Sequence, residues 1–301
     1  MGAKEGSQNM TQTRSVRTLK IAFLNLGFVG LLATNLVSAD QARGESSRST
    51  QHGVIALVQY DADKNFSSYE INKRNLTTMA DQAIANHADI IVFPEGSMYG
   101  YASTARDEKW CRGNSFGCRD VNSIAEAIPG GVSTLYWQTY SQTHKVYVLF
   151  NLPEKVSDGV YANTTVVVGP TGYLGKYQKR ALYITNQAYA QAGTSEFVLK
   201  TPFGNFGLLT CMDAAYPGFL EAYASKVDSV ILIMDWDDDP EGPNGALPFF
   251  ERRAIESGLR IFASDQATWD GTGLYQPGTA RVRTGLSGSA IGLDGISYHD
   301  L

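Results

Sequence analysis

The chain has 301 residues, 43% of them hydrophobic, with a formal net charge of −5 and no basic run after its first twenty positions. That balance excludes the electrostatic footprint of a nucleic-acid binder. The apolar share is large enough for one sizeable domain with its own core.

The first 39 residues read as a secretory signal. Arg14, Arg17 and Lys20 precede the mostly apolar run Ile21–Ala39, and Val37-Ser38-Ala39 offers small residues for cleavage. Translation from Met1 or from Met10 stays open, and if the run were left uncleaved it would serve as an anchor. Residues 40–53 are polar and unpatterned, a linker, and residues 54–301 form the domain. No later apolar run reaches spanning length, so after signal removal no membrane partner is expected.

Within the domain, VIALVQY at 54–60 is a buried strand, and 68–88 carries Ile71, Leu76, Met79, Ala80, Ala83 and Ile84 at helical spacing. A second strand, 89–93, stops at Pro94. Residues 96–130 read as a long irregular loop. A helix at 131–144, a strand at 146–150 and a strand–turn–strand unit at 161–173 follow. Further strands at 206–210, 229–234 and 260–263 are separated by helical segments near 214–226 and 246–258. Continuous apolar strands alternating with helices imply sheets covered on both faces.

Of the three cysteines, Cys111 and Cys118 flank RGNSFG, a spacing that suits a small disulfide loop in an exported protein; two unpaired thiols are the alternative. Cys211 is then the odd thiol, at the exit of a buried strand. Two further strand exits carry chemistry: Glu95 after Pro94, and Lys179 in LGKYQKRALY. Taken singly, each reads better as a surface charge. None of the four histidines (His52, His87, His144, His299) sits at a strand exit, and there is no GxSxG, HExxH or CxxC. A cysteine nucleophile here would need a carboxylate base and a lysine electrophile.

Taken together, VFPEGSMYGY, NTTVVVGPTGYLGKYQK and FGNFGLLTCMDAAYP resemble, in chain order, the glutamate, lysine and cysteine motifs of the nitrilase superfamily of carbon–nitrogen hydrolases. The wording is nearest to the biotinidase and vanin (pantetheinase) branch, whose members cleave amides of biotin or pantetheine. The resemblance implies a four-layer α-β-β-α sandwich with two mixed sheets. It also implies Glu95 as base, Lys179 and the Met212 backbone N–H as oxyanion donors, and Cys211 as nucleophile. Tyr99, Trp236, Asn186 and Gln187 are candidate pocket residues. No metal or organic cofactor is implied, the partner is a small-molecule amide, and homo-oligomerisation is left open. In the chain Asn186 and Gln187 stand where the family has a second glutamate. That departure keeps in play a catalytically weak binding protein of the same fold; an amide acyltransferase, with an amine in place of water as the acyl acceptor, is a separate alternative. Asp213 reads as a cap for the helix expected after Cys211.

Overall fold

Runs such as VIALVQ and SVILI are apolar at nearly every position, so neither face of such a strand tolerates water, and each must be buried on both sides. The computed structural model of the chain describes residues 52–62, 68–100, 102–103, 119–216, 218–236, 245–286 and 292–301. The expected signal, most of the expected linker and the segment from Cys111 to Cys118 lie outside the described residues.

The strands, in chain order, are β1 (Val54–Gln59), β2 (Ile90–Val92), β3 (Ala102–Ser103), β4 (Arg119–Asp120), β5 (Tyr147–Ser157), β6 (Val160–Gly169) and β7 (Gly172–Gln178). They continue with β8 (Val198–Thr201), β9 (Gly204–Thr210), β10 (Ser229–Ile233), β11 (Arg260–Ser264), β12 (Gly273–Gln276), β13 (Thr279–Val282) and β14 (Gly295–Asp300). Two six-stranded sheets result, ordered β14-β1-β2-β5-β6-β7 and β13-β12-β11-β10-β9-β8, with β3 and β4 paired apart. Both large sheets are mixed. β1, β2 and β5 run parallel, as do β9, β10 and β11, while the flanking strands pair antiparallel.

The helices are α1 (Tyr69–Ala85), α2 (Val121–Ile124), α3 (Val132–His144), α4 (Ile184–Gln187) and α5 (Ala246–Ser257). Helix α1 is started by Ser68, whose Oγ accepts the Ile71 N–H at 3.2 Å. It turns Leu76, Met79, Ala80 and Ala83 inward. Alternation along the strands separates the layers. On β1, Ile55 and Leu57 join the cluster that also holds Leu208, Ile231 and Phe262 of the second sheet. Ala56 and Val58 instead meet Leu76, Ala80 and Trp137 of α1 and α3. Helix α5 covers the second sheet through Ala246, Phe250 and Ala254. The four layers expected from the resemblance are therefore α1 and α3, sheet, sheet, and α5.

The structure differs from expectation in three places. The helix expected at 214–226 is replaced by two 3-10 turns, Cys211–Ala215 and Glu221–Tyr223. Tyr216 precedes Pro217, is extended at φ −82° and ψ 120°, and is followed by Gly218 at φ +92°, so no α-helix can run through. The expected loop at 96–130 holds β3, β4 and α2 among its described residues. Strands β8, β12, β13 and β14 had no expectation. β14 is hidden by Ser297 and His299, polar residues whose alternation masks a strand that pairs along the whole of β1.

Candidate active site

Three strand ends meet where the two sheets stack. Glu95 follows β2, and its backbone N–H donates to Met234 O at 3.2 Å, just past β10 of the other sheet. Ser264 of β11 adds a second stitch, its hydroxyl donating to Val58 O at 2.6 Å and Val92 O at 3.1 Å. Lys179 follows β7, with its N–H on Asn163 O at 2.9 Å. Cys211 follows β9 at φ +47°, a left-handed backbone that costs a non-glycine residue about 1–2 kcal/mol. Asp213 holds that bend. It is fully buried, and its carboxylate accepts Thr210 N at 3.0 Å, Tyr177 OH at 2.6 Å, Arg180 N at 3.0 Å and Ala181 N at 2.6 Å. The residue expected only to cap a helix thus ties the cysteine bend to the lysine segment. Arg253 of α5 supports the same turn, its Nε donating to Ala214 O at 3.0 Å.

Glu95, Lys179 and Cys211 are 6%, 1% and 7% exposed. Lys179 Nζ donates to Glu95 Oε1 at 2.8 Å, and Asn163 Nδ2 donates to the same oxygen at 2.6 Å. The other carboxylate oxygen, Oε2, is buried with no partner. Burial acts to lower the Lys179 pKa, but the negative charge that Cys211 carries once ionised, and the Glu95 charge and hydrogen bond, outweigh it and hold the ammonium above its ordinary value. Burial pushes the Cys211 thiol well up, against the pull of Lys179 and with a further push from Glu95 and Asp235. The resting thiol is therefore protonated, and lies 3.6 Å from Asp235 O, to which it donates. Such a sulfur becomes nucleophilic only if a neighbour removes its proton.

A pocket of about 520 Å³, partly open to solvent, is lined by Glu95, Lys179 and Cys211 together with Asn151, Asn163, Asn186 and Asp235 among others. The aligned amides are ordered by one another. Asn151 Oδ1 accepts Gly96 N at 2.9 Å, and its Nδ2 donates to Asn163 Oδ1 at 2.8 Å and Thr165 Oγ1 at 3.2 Å. Of the candidate pocket residues, Asn186 lines the cavity and the structure places the other three away from its described lining. Tyr99 donates to Glu126 Oε1 at 2.8 Å and stacks on Tyr69, in the core under the helices. Trp236 packs against Phe249 and Phe250 of α5, because its backbone N–H is drawn to buried Asp265 at 3.0 Å. Gln187 is exposed and its amide returns to Leu182 O at 3.0 Å. Met212 lies in the turn after Cys211, with no described contact on its N–H. Among the described residues no cluster of His, Cys, Asp and Glu suits a metal ion, and no helix is long and apolar enough to cross a membrane.

The sequence model of the carbon-nitrogen hydrolase family matches residues 54–288, which run from β1 beyond β13 and include all three strand ends. The chain belongs to the carbon-nitrogen hydrolase family. It is 30% identical over 223 residues to a nitrilase of Pyrococcus abyssi, a match that covers 70% of this chain and 74% of the relative. It is 27% identical over 219 residues to a pantetheinase of Mus musculus, covering 65% of this chain and 42% of that protein. The chain therefore spans less than half the length of that pantetheinase. The crystal structure of an amidase from Nesterenkonia sp. superposes with a TM-score of 0.65 at 19% identity, over 84% of this chain and 91% of that one, and shows the same fold.

Asn151, Thr185 and Tyr189 of this carbon–nitrogen hydrolase site were not singled out from sequence, and Asn163 was given no part in the chemistry. The available signal was a carboxamide inside an otherwise apolar strand, as in VLFNLP and YANTTVVV, since a buried polar side chain is more informative than a buried apolar one.

Proposed function

We propose that this carbon–nitrogen hydrolase is an exported thiol amidase that cleaves a linear amide through a thioester on Cys211. The observation that carries the reading is the half-occupied Glu95 carboxylate. Oε1 is held by Lys179 and Asn163, and Oε2 is buried and unpartnered in the pocket that Cys211 also lines. A base needs a lone pair that nothing else uses.

In this reading Glu95 Oε2 takes the thiol proton, and the sulfur attacks the amide carbonyl. Lys179 and the Met212 N–H stabilise the oxyanion, an interaction worth roughly 10²–10³ in rate per well-placed donor. Glu95 returns the proton to the leaving nitrogen, then activates the water that releases the acid. Export is proposed from the N-terminal charge and apolar run, together with pairing of Cys111 and Cys118. The likeness to pantetheinase places pantetheine and biotinyl amides beside simple aliphatic amides in the substrate panel.

The test is intact-protein mass spectrometry of the enzyme during turnover of that panel. An acyl adduct on Cys211, absent in Cys211→Ala and accumulating poorly in Glu95→Gln, is the expected result. Turnover that persists in Cys211→Ala would sink the mechanism. Tight binding of an amide with no adduct and no product would favour the non-catalytic reading that the change to Asn186 raises.

A further inference from the structure

One buried acid near the site has no part in the chemistry above. Asp265, the residue after β11, is fully buried, and its carboxylate accepts three backbone N–H groups. Oδ1 takes Trp236 N at 3.0 Å and Gln266 N at 2.9 Å, and Oδ2 takes Gly271 N at 2.8 Å. Its own N–H donates to Thr272 Oγ1 at 3.0 Å. A Cβ on Gly271 would lie 2.4 Å from Oδ2, so the loop closes on the carboxylate with no room for a side chain. A buried carboxylate is costly to desolvate and depends on such donors. What those bonds hold in place is therefore informative.

The Trp236 bond is the one that reaches the reacting groups. Met234, Asp235 and Trp236 form a short backbone strut after β10. Met234 O accepts Glu95 N at 3.2 Å, Asp235 O accepts the Cys211 thiol at 3.6 Å, and Trp236 N is fixed by Asp265. Three successive residues thus touch the base, the nucleophile and the anchor. Gln266 adds a second hold from the anchor side. Its Nε2 donates to Glu95 O at 2.9 Å while its Oε1 accepts Ala62 N at 3.0 Å. Glu95 and Cys211 arrive from different sheets, and the strut bonds to both. Asp265 is not among the residues that line the pocket, so it can influence the reaction only through what it holds.

We infer that Asp265 is a positioning residue: by anchoring the Met234–Trp236 strut, it sets the spacing of the Cys211 thiol from Glu95. The inference rests on the amidase reading for the roles of those two groups, and adds a residue whose side chain touches neither. A base takes a proton only within hydrogen-bond reach. A displacement of about 1 Å, caused far from the chemistry, can cost on the order of a hundredfold in rate. Loss of the anchor leaves the groups that line the pocket in place and disturbs the proton transfer. Its effect therefore falls on kcat and not on KM.

The experiment measures the rate of Cys211 alkylation by iodoacetamide, with kcat and KM for the panel amide that turns over fastest. Asp265→Ala should slow alkylation and kcat by roughly tenfold or more and leave KM within about twofold. Asp265→Asn separates position from stability. Its carbonyl can stand in for Oδ1 and keep the Trp236 and Gln266 bonds, while its NH2 faces the Gly271 N–H. It should melt lower than wild type yet keep alkylation and kcat within about threefold, since the strut is still held. Asp265→Ser, whose hydroxyl stops short of Trp236, should lose the same reactivity as Ala and keeps the test open if Ala does not fold. Unchanged alkylation in Ala and Ser, a loss carried by KM, or an Asn variant as slow as Ala would each overturn the inference and leave the amidase reading standing. Alkylation needs no amide turnover, so it decides the inference even if no amide forms a thioester on Cys211, the outcome that would sink the amidase reading.

Discussion

Replacing Asp213 tests whether the cysteine bend is held by the lysine segment. Its two oxygens receive two donors each: Oδ1 takes Arg180 N and Ala181 N, and Oδ2 takes Tyr177 OH and Thr210 N. In Asp213→Asn one oxygen becomes an NH2. The cheaper choice is Oδ2, because the Tyr177 hydroxyl can reverse and accept, leaving only the Thr210 N–H orphaned. A buried unsatisfied donor costs about 1–3 kcal/mol, and the surviving bonds lose their charge assistance, so a loss of about 2–3 kcal/mol is expected. Asp213→Ala orphans all three backbone N–H groups and should cost about 4 kcal/mol or more. For a domain of this size, each kcal/mol lowers Tm by roughly 2–4 °C. Thermal unfolding should therefore rank wild type, Asp213→Asn and Asp213→Ala in that order, and kcat should fall with them as Cys211 relaxes from φ +47°. Equal melting temperatures for Asn and Ala, or full activity in Ala, would refute the reasoning.

Lys179→Met should destabilise by about 3–5 kcal/mol, because it leaves the Glu95 carboxylate buried with Asn163 as its remaining partner; the double variant with Glu95→Gln should recover much of this in urea denaturation. His299 is buried in β14, and burial lowers its pKa from 6.5 to about 4, with Asp300 opposing. Between these values the unfolded chain takes up a proton and the folded one does not, so stability should fall as pH drops from about 6.5 to 4, by roughly 3 kcal/mol; His299→Gln should flatten that slope in denaturation curves. Gly207→Ala would place a Cβ 2.6 Å from the buried Tyr223 ring and should cost about 1–3 kcal/mol, read as a lower Tm. Alkylation of the exported protein without reduction should leave Cys111 and Cys118 unmodified if they are paired, and label of both would exclude the disulfide.

The sheets and the outer helices were legible because their sequences obey a period. VIALVQ, SVILI and RIFAS read as strands at sight, and α1 and α5 are amphipathic at helical spacing. β14 was not legible: a strand whose inward positions are Ser297 and His299 looks polar, and its burial comes from a partner more than two hundred positions away. The same limit applies at the site. Glu95, Lys179 and Cys211 stood out through motif resemblance, and the structure brings them to one pocket. Asp213 looked structural because it acts by bonding to residues distant in sequence. Tyr99 and Trp236 looked like pocket aromatics because an aromatic beside a motif gives no hint of which way its ring turns.

The divided origin of the site has a consequence for how the protein fails. Glu95 and Lys179 hang from the first sheet and Cys211 from the second, so no single sheet carries a working set. A state that kept its strands and helices but loosened the contact between sheets would look folded by backbone spectroscopy while its reactive groups drifted apart. Mild heat or low urea should therefore silence the enzyme before the circular dichroism signal moves, and on refolding, activity should be the last property to return.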